Sequence, residues 1–234
     1  MKPTEVEVLD ALSGVRDPEL DEPITDLKFI SDLRVAEDAV SVRLRLPTPL
    51  CAPNFAYLMA ADAREAVLSV PGVQSARVVL DDHHASSEIN AGMADERGFE
   101  ATFPGETEGE SLDELRDIFR RKSFVSRQEK LCRALLAEGR YPEELAEMRL
   151  GEVPPSGSFE KYLERRAELG LDVSPGAPLV VDPDGKRVPK EAIVQHLRLA
   201  RTVRVSIEGN AHHCRGLLAA RYGTQEEEKE EATL

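Results

Sequence analysis

The chain has 234 residues, 41% hydrophobic and 32% charged, enough for one large or two small globular domains. Its formal net charge of -14 at pH 7 argues against a nucleic-acid binder, because phosphate contacts need clustered Lys and Arg. No apolar stretch approaches membrane-spanning length, no basic-then-apolar leader is present, and three scattered cysteines make no disulfide framework, so a cytoplasmic protein with free thiols and no membrane partner is expected.

Thr4-x-x-Glu7 reads as a capping box that opens a short helix, with Val8, Leu9 and Leu12 marking one face up to Ser13-Gly14. Asp17-Pro18-Glu19 follows. Pro18 bars helix and biases Asp17 to an extended conformation, which puts both carboxylates on a stiffened turn. Phe29 to Val35 is a strand, Glu37-Asp38 a turn, and Val40, Val42, Leu44 and Leu46 alternate with polar residues as a half-buried second strand. After Leu46-Pro47-Thr48-Pro49-Leu50-Cys51-Ala52-Pro53 the pattern turns helical through Phe55, Met59, Ala63 and Val67. Pro71-Gly72 ends that helix, and Ala76, Val78 and Leu80 return to the sheet.

This is a two-layer α-β-β-α-β unit over residues 1–84, with Cys51 at the rim where strand meets helix. A thiol in the first helical turn faces unpaired N–H groups and the positive dipole end, which favours the thiolate that binds metal or attacks an electrophile. The other reading of Cys51 is a small packed apolar residue. Asp81-Asp82-His83-His84 adds potential ligands; adjacent histidines on an extended segment point to opposite faces, so at most one of them, His83 being the candidate, joins Cys51 at a metal.

The order helix, Asp17-Pro18-Glu19, Thr25-Asp26-Leu27, two strands, Thr48-x-x-Cys51, helix, Val70-Pro71-Gly72-Val73, strand resembles the small iron–sulfur assembly domain of the PaaD and SufT type. It departs from that pattern at Lys28, where the family usually has Gly, and at Ala52, which separates Cys51 from its Pro. The resemblance implies a maturation factor, not an enzyme, that carries iron or an iron–sulfur cluster transiently. Cys51 would be the thiolate that contacts the metal, with Asp17 and Glu19 as oxygen ligands or orienting acceptors beside it.

Residues 85–110, rich in small and acidic types and broken by Gly92, Gly98, Pro104 and Gly105, are expected to link the two domains. The second, 111–223, is expected to be mostly helical, giving an α+β chain overall. Capping boxes Ser111-x-x-Glu114 and Ser126-x-x-Glu129 each open a helix, the latter stopping at Gly139. Pro142 starts another, and Phe159, Tyr162, Leu163 and Ala167 mark one that ends at Gly170. Leu179-Val180-Val181 is a short strand, Asp182-Pro183-Asp184-Gly185 a turn, Pro189 to Ala200 a helix, and Val203, Val205 and Ile207 alternate as a last strand.

Asn210 then caps a helix that places Cys214 near its positive end, beside His212 and His213. His213 and Cys214 would diverge by about 100° on that helix, so a metal site there needs Cys51, Asp17 or Glu19 as well. Residues 224–234 are expected to be an acidic disordered tail.

No C-x-x-C, H-E-x-x-H, G-x-x-x-x-G-K-[ST] or G-x-G-x-x-G is present. Ile89-Asn90-x-Gly92, Leu197-Arg198-x-Ala200-Arg201 and Cys214-Arg215-Gly216-Leu217-Leu218 resemble assembly proteins associated with bacterial multicomponent di-iron monooxygenases, which implies an apo-hydroxylase as client. A homodimer could pair two Cys51 side chains about one cluster. The alternative is a metal-free adaptor or chaperone for an apo-enzyme. A third reading, an enzyme with Cys51 as nucleophile, needs a histidine against the thiol, and His83 is the nearest candidate.

Overall fold

Thr4 accepts the Glu7 N–H while the Glu7 carboxylate takes the Thr4 N–H, and this capping box opens α1 (Glu5–Ser13), which buries Val8 and Leu12. The computed structural model describes residues 2–105 and 111–231, with side chains described through Gly223. They form an α+β structure in two units, residues 1–112 with 210–234 and residues 113–209. Part of the expected linker, 106–110, lies outside the described residues, and the expected disordered tail, 224–234, is instead helical in its backbone through Glu231, with 232–234 outside the described residues.

In the first unit the two-residue strands β1 (Arg16–Asp17) and β2 (Glu22–Pro23) pair antiparallel around the Asp-Pro-Glu turn. Lys28 then adopts φ 58°, the left-handed region that Gly enters without steric cost, which gives a physical reason for the Gly expected there. Next come β3 (Ile30–Ala36), β4 (Ala39–Arg45), α2 (Pro53–Leu68) and β5 (Ser75–Asp81). β4 is central, antiparallel to β3 and parallel to β5. Val40, Val42 and Leu44 face the core that α1 and α2 complete with Leu12, Ala56, Met59, Ala63 and Val67.

Residues 85–105 differ from the expected linker. Two short helices form there, α3 (Ser86–Ala94) and α4 (Phe99–Thr102), and Ile89, Met93 and Phe103 bury in the core of the first unit. The reason lies in the apolar anchors, whose burial outweighs the breaking tendency of the glycines. The Asn90 side chain takes the Leu80 N–H (2.8 Å) and donates to the Leu80 carbonyl (3.0 Å), standing in for a neighbouring strand beside β5. Gly92 is needed because a Cβ would fall inside van der Waals distance of Thr102 Oγ1 and 2.8 Å from its Cγ2. Gly92→Ala, which on an open helix gains up to about 1 kcal/mol, should here cost about 1–3 kcal/mol through overpacking. A denaturant titration of Gly92→Ala with and without Thr102→Ala checks this, since the second change should restore most of the loss.

The second unit starts within α5 (Leu112–Ala137) and continues through α6 (Pro142–Glu147), α7 (Gly157–Glu168) and the beginning of α8 (Ile193–Glu231). α5 is one helix, so Ser126-x-x-Glu129 opens nothing. No Gly or Pro interrupts residues 112–137, Ser126 is buried, and Glu129 pairs with Arg204 instead of capping. Leu179-Val180-Val181 is extended and buried, tied by single bridges at Arg149–Pro178 and Val181–Arg187. Gln128 secures it by donating to Val181 O (2.9 Å) and Tyr162 Oη (3.0 Å), while Tyr162 donates to Leu179 O (2.7 Å).

Val203, Val205 and Ile207 form no strand. They lie inside α8, where Ala200, Arg204, Ile207 and Ala211 bury at helical spacing. Alternation over so few residues was outweighed by this longer stripe. From Asn210 onward α8 belongs to the first unit.

Candidate functional site

The Asp-Pro-Glu turn is built by its first residue. Asp17 Oδ1 accepts the N–H groups of Glu19 and Leu20, both at 2.9 Å, and is 9% exposed. Burial pushes its carboxyl up to about 6, against the pull of those two hydrogen bonds and with help from the neighbouring Glu19 and Glu22 charges. Glu19 is half-buried, and its Oε1 accepts from Asn210 Nδ2 at 3.1 Å.

Cys51 sits in the loop between β4 and α2, half-buried against the core. α2 begins at Pro53 after Ala52, so Cys51 lies outside the first turn where the expected dipole effect would act. Burial instead pushes its thiol up, with Asp17 and Glu19 adding to the rise and the Thr48 backbone contact and Arg221 opposing it. The loop is braced from the end of β5. His83 donates from Nε2 to Cys51 O (2.7 Å) and accepts the Ala85 N–H at Nδ1 (3.2 Å), while the His84 ring lies 2.7 Å from Pro49 O through Nδ1.

Both ring nitrogens of His83 are thus committed to the backbone, which corrects its place among the metal ligands. Nor does it address the Cys51 thiol as a catalytic base would; its partner is the carbonyl. Sequence spacing placed His83 near Cys51 correctly but could not distinguish a ligand from a brace.

The C-terminal residues divide. α8 runs through Asn210, so Cys214 is in mid-helix with no positive end beside it. His212 and His213 are exposed. Cys214 is half-buried against the same core as Cys51, and its thiol is pushed up to about 11, first by burial and then by Asp17, Cys51 and Glu19. Of the sequence-derived candidates, Asp17, Glu19, Cys51 and Cys214 therefore share one electrostatic neighbourhood. Among the described residues no three of His, Cys, Asp and Glu form a group able to hold a metal ion.

The groups that sequence reasoning missed are on α8. Arg221 donates to Leu46 O (3.4 Å) and Asp82 O (3.1 Å), Tyr222 donates to Asp82 Oδ2 (3.2 Å), and Arg215 pairs with Glu22. The available signal was the spacing Ala211, Cys214, Leu218, Tyr222, one face of a helix. No helix among the described residues is long and apolar enough to cross a membrane.

Residues 5–79 match the family model described as iron–sulfur cluster assembly protein. Over 89 residues the chain is 38% identical to an uncharacterized protein of Methanocaldococcus jannaschii, covering 37% of this chain and 90% of that protein. Over 71 residues it is 38% identical to an iron–sulfur cluster carrier protein of Synechocystis sp., covering 30% of this chain and 20% of that one. Each match covers less than half of this chain.

Proposed function

Since the chain belongs to the iron–sulfur cluster assembly protein family through its residues 5–79, we propose that it is a cytoplasmic carrier that takes up iron or an iron–sulfur cluster as cargo and passes it to a client apo-metalloenzyme. The observation that carries this reading is the half-buried Cys51 thiol, held on a braced loop beside Asp17 and Glu19 within the family's own span. A thiolate there is a soft donor for iron, and the neighbouring carboxylates offset the positive charge that cargo brings.

In the resting protein the thiol keeps its proton, because burial and two carboxylates disfavour the anion. Cationic cargo reverses that balance: it displaces the proton and turns the same two carboxylates into favourable neighbours. Loading is therefore coupled to proton release, and protonation of the thiol assists unloading. With few protein donors, the remaining ligands come from donor or client, which suits transfer. The narrower reading, a di-iron monooxygenase hydroxylase as client, rests on the sequence resemblance alone.

Anaerobic titration with ferrous iron, alone and with a cluster donor, tests the proposal by metal analysis and absorption. Wild type should bind stoichiometrically and Cys51→Ser at least about tenfold more weakly, the loss typical of disturbing a metal's surroundings being 10–100-fold. Absence of binding by wild type under both conditions would favour the adaptor that holds an apo-enzyme without touching metal.

A further inference from the structure

We propose that Cys214, which lies outside the family's span, is a second thiolate for the cargo, so that one chain grips it between Cys51 and Cys214. The proposal deepens the carrier reading and rests on Cys51 being the first ligand.

Helical geometry fixes where Cys214 points. Ala211, Leu218 and Tyr222 are 1%, 7% and 5% exposed, all in the core of the first unit, and Cys214 stands three residues after the first and four before the second. Positions three and four apart share a face, so Cys214 lies on the inward stripe of α8. His212 and His213 lie off it and are exposed.

Polar contacts fix what lies opposite. One turn before Cys214, Asn210 holds Glu19, and the adjacent Arg215 holds Glu22, so this part of α8 lies against the Asp-Pro-Glu turn. Two turns later Arg221 reaches the carbonyls of Leu46 and Asp82, which bound the Cys51 loop and its histidine brace. Cys214 is held between the turn and the base of that loop. The two thiols pack on the same core.

One oxygen of each nearby carboxylate is already engaged. Asp17 Oδ1 accepts two backbone N–H groups, and Glu19 Oε1 accepts from Asn210. The thiols are the soft donors in that neighbourhood. A pair of thiolates selects iron, iron–sulfur units or zinc over magnesium and calcium far better than one thiolate with two carboxylates. On loading, each Cys loses its S–H proton to solvent as its sulfur bonds the metal, with no change of oxidation state.

Cobalt(II) chloride, added anaerobically to the reduced full chain, is the probe, read by the thiolate-to-cobalt charge-transfer band and by protons released per metal bound. Wild type should release about two protons. Cys214→Ser should release about one, keep about half the band intensity and bind at least about tenfold more weakly. Cys214→Ala should behave the same way, with thermal melts establishing that both variants fold. A Cys214→Ser protein with wild-type band, proton count and affinity, while Cys51→Ser loses binding, overturns the second thiolate and leaves the carrier intact. Failure of wild type to bind, or binding that survives Cys51→Ser, overturns both.

Discussion

Glu129→Ala should destabilise the second unit by about 3 kcal/mol, the lower end of what removing one partner of a buried ion pair costs. Glu129 is 5% and Arg204 8% exposed, and their pairing joins α5 to the first part of α8. The mutation leaves a buried guanidinium without its buried partner. Its second partner, Glu208, is 42% exposed and recovers part of the lost interaction, which is why the cost falls at the low end. The double variant Glu129→Leu/Arg204→Met should regain most of the stability, because well-packed apolar residues often replace a buried pair without loss. Urea titrations of both proteins decide the matter. A single-variant cost below about 1 kcal/mol, the range of exposed pairs, would mean that the pair is solvated in solution.

Asp17→Asn should make the protein more stable at pH 7.5 and leave it nearly unchanged at pH 4. The folded Asp17 carboxyl is raised from 3.8 to about 6, so the native state holds its proton where the unfolded chain has lost it. Its contribution is complete below the unfolded value and disappears as pH rises through about 6. At about 1.4 kcal/mol per pKa unit, the loss by neutral pH is on the order of 3 kcal/mol. Asn keeps an oxygen for the Glu19 and Leu20 N–H groups and has no charge to bury. Stability measured across pH 4 to 7.5 should slope downward for wild type and be flatter for the variant; equal slopes would sink the assignment. Under the proposed carrier function, a carboxyl that destabilises the empty fold at neutral pH would favour the loaded state, where cationic cargo offsets it.

The first unit was legible because its signals are local. Val40 to Leu46 alternates cleanly, Thr4 and Glu7 form their box, and Pro53 begins a helix, so the α-β-β-α-β order follows from short windows. Legibility failed where the deciding contacts are distant. Nothing near Val203 shows that Arg204 meets Glu129, seventy-five residues earlier, and a three-residue alternation then resembles a strand. Asn90 appears as a linker residue until Leu80 is found opposite it. At the candidate site, Cys51, Asp17 and Glu19 were singled out by motif, but the brace role of His83 depends on which oxygen its ring meets. Cys214 was singled out for its chemistry, while the reason for its position, the stripe from Ala211 to Tyr222, went unread.

The first unit is assembled from two segments separated by residues 113–209, and this sets an order of events on the ribosome. Residues 113–209 contain their own core and can begin to fold once they have emerged. The sheet of residues 30–81 emerges earlier, yet its core lacks Ala211, Leu218 and Tyr222 until that part of α8 has been made. The Asp-Pro-Glu turn likewise waits for Asn210 and Arg215. A nascent chain therefore presents Cys51 on an unfinished core until Ala211, Leu218 and Tyr222 join it, so termination before Asn210 yields a protein with residues 5–79 intact and their setting incomplete.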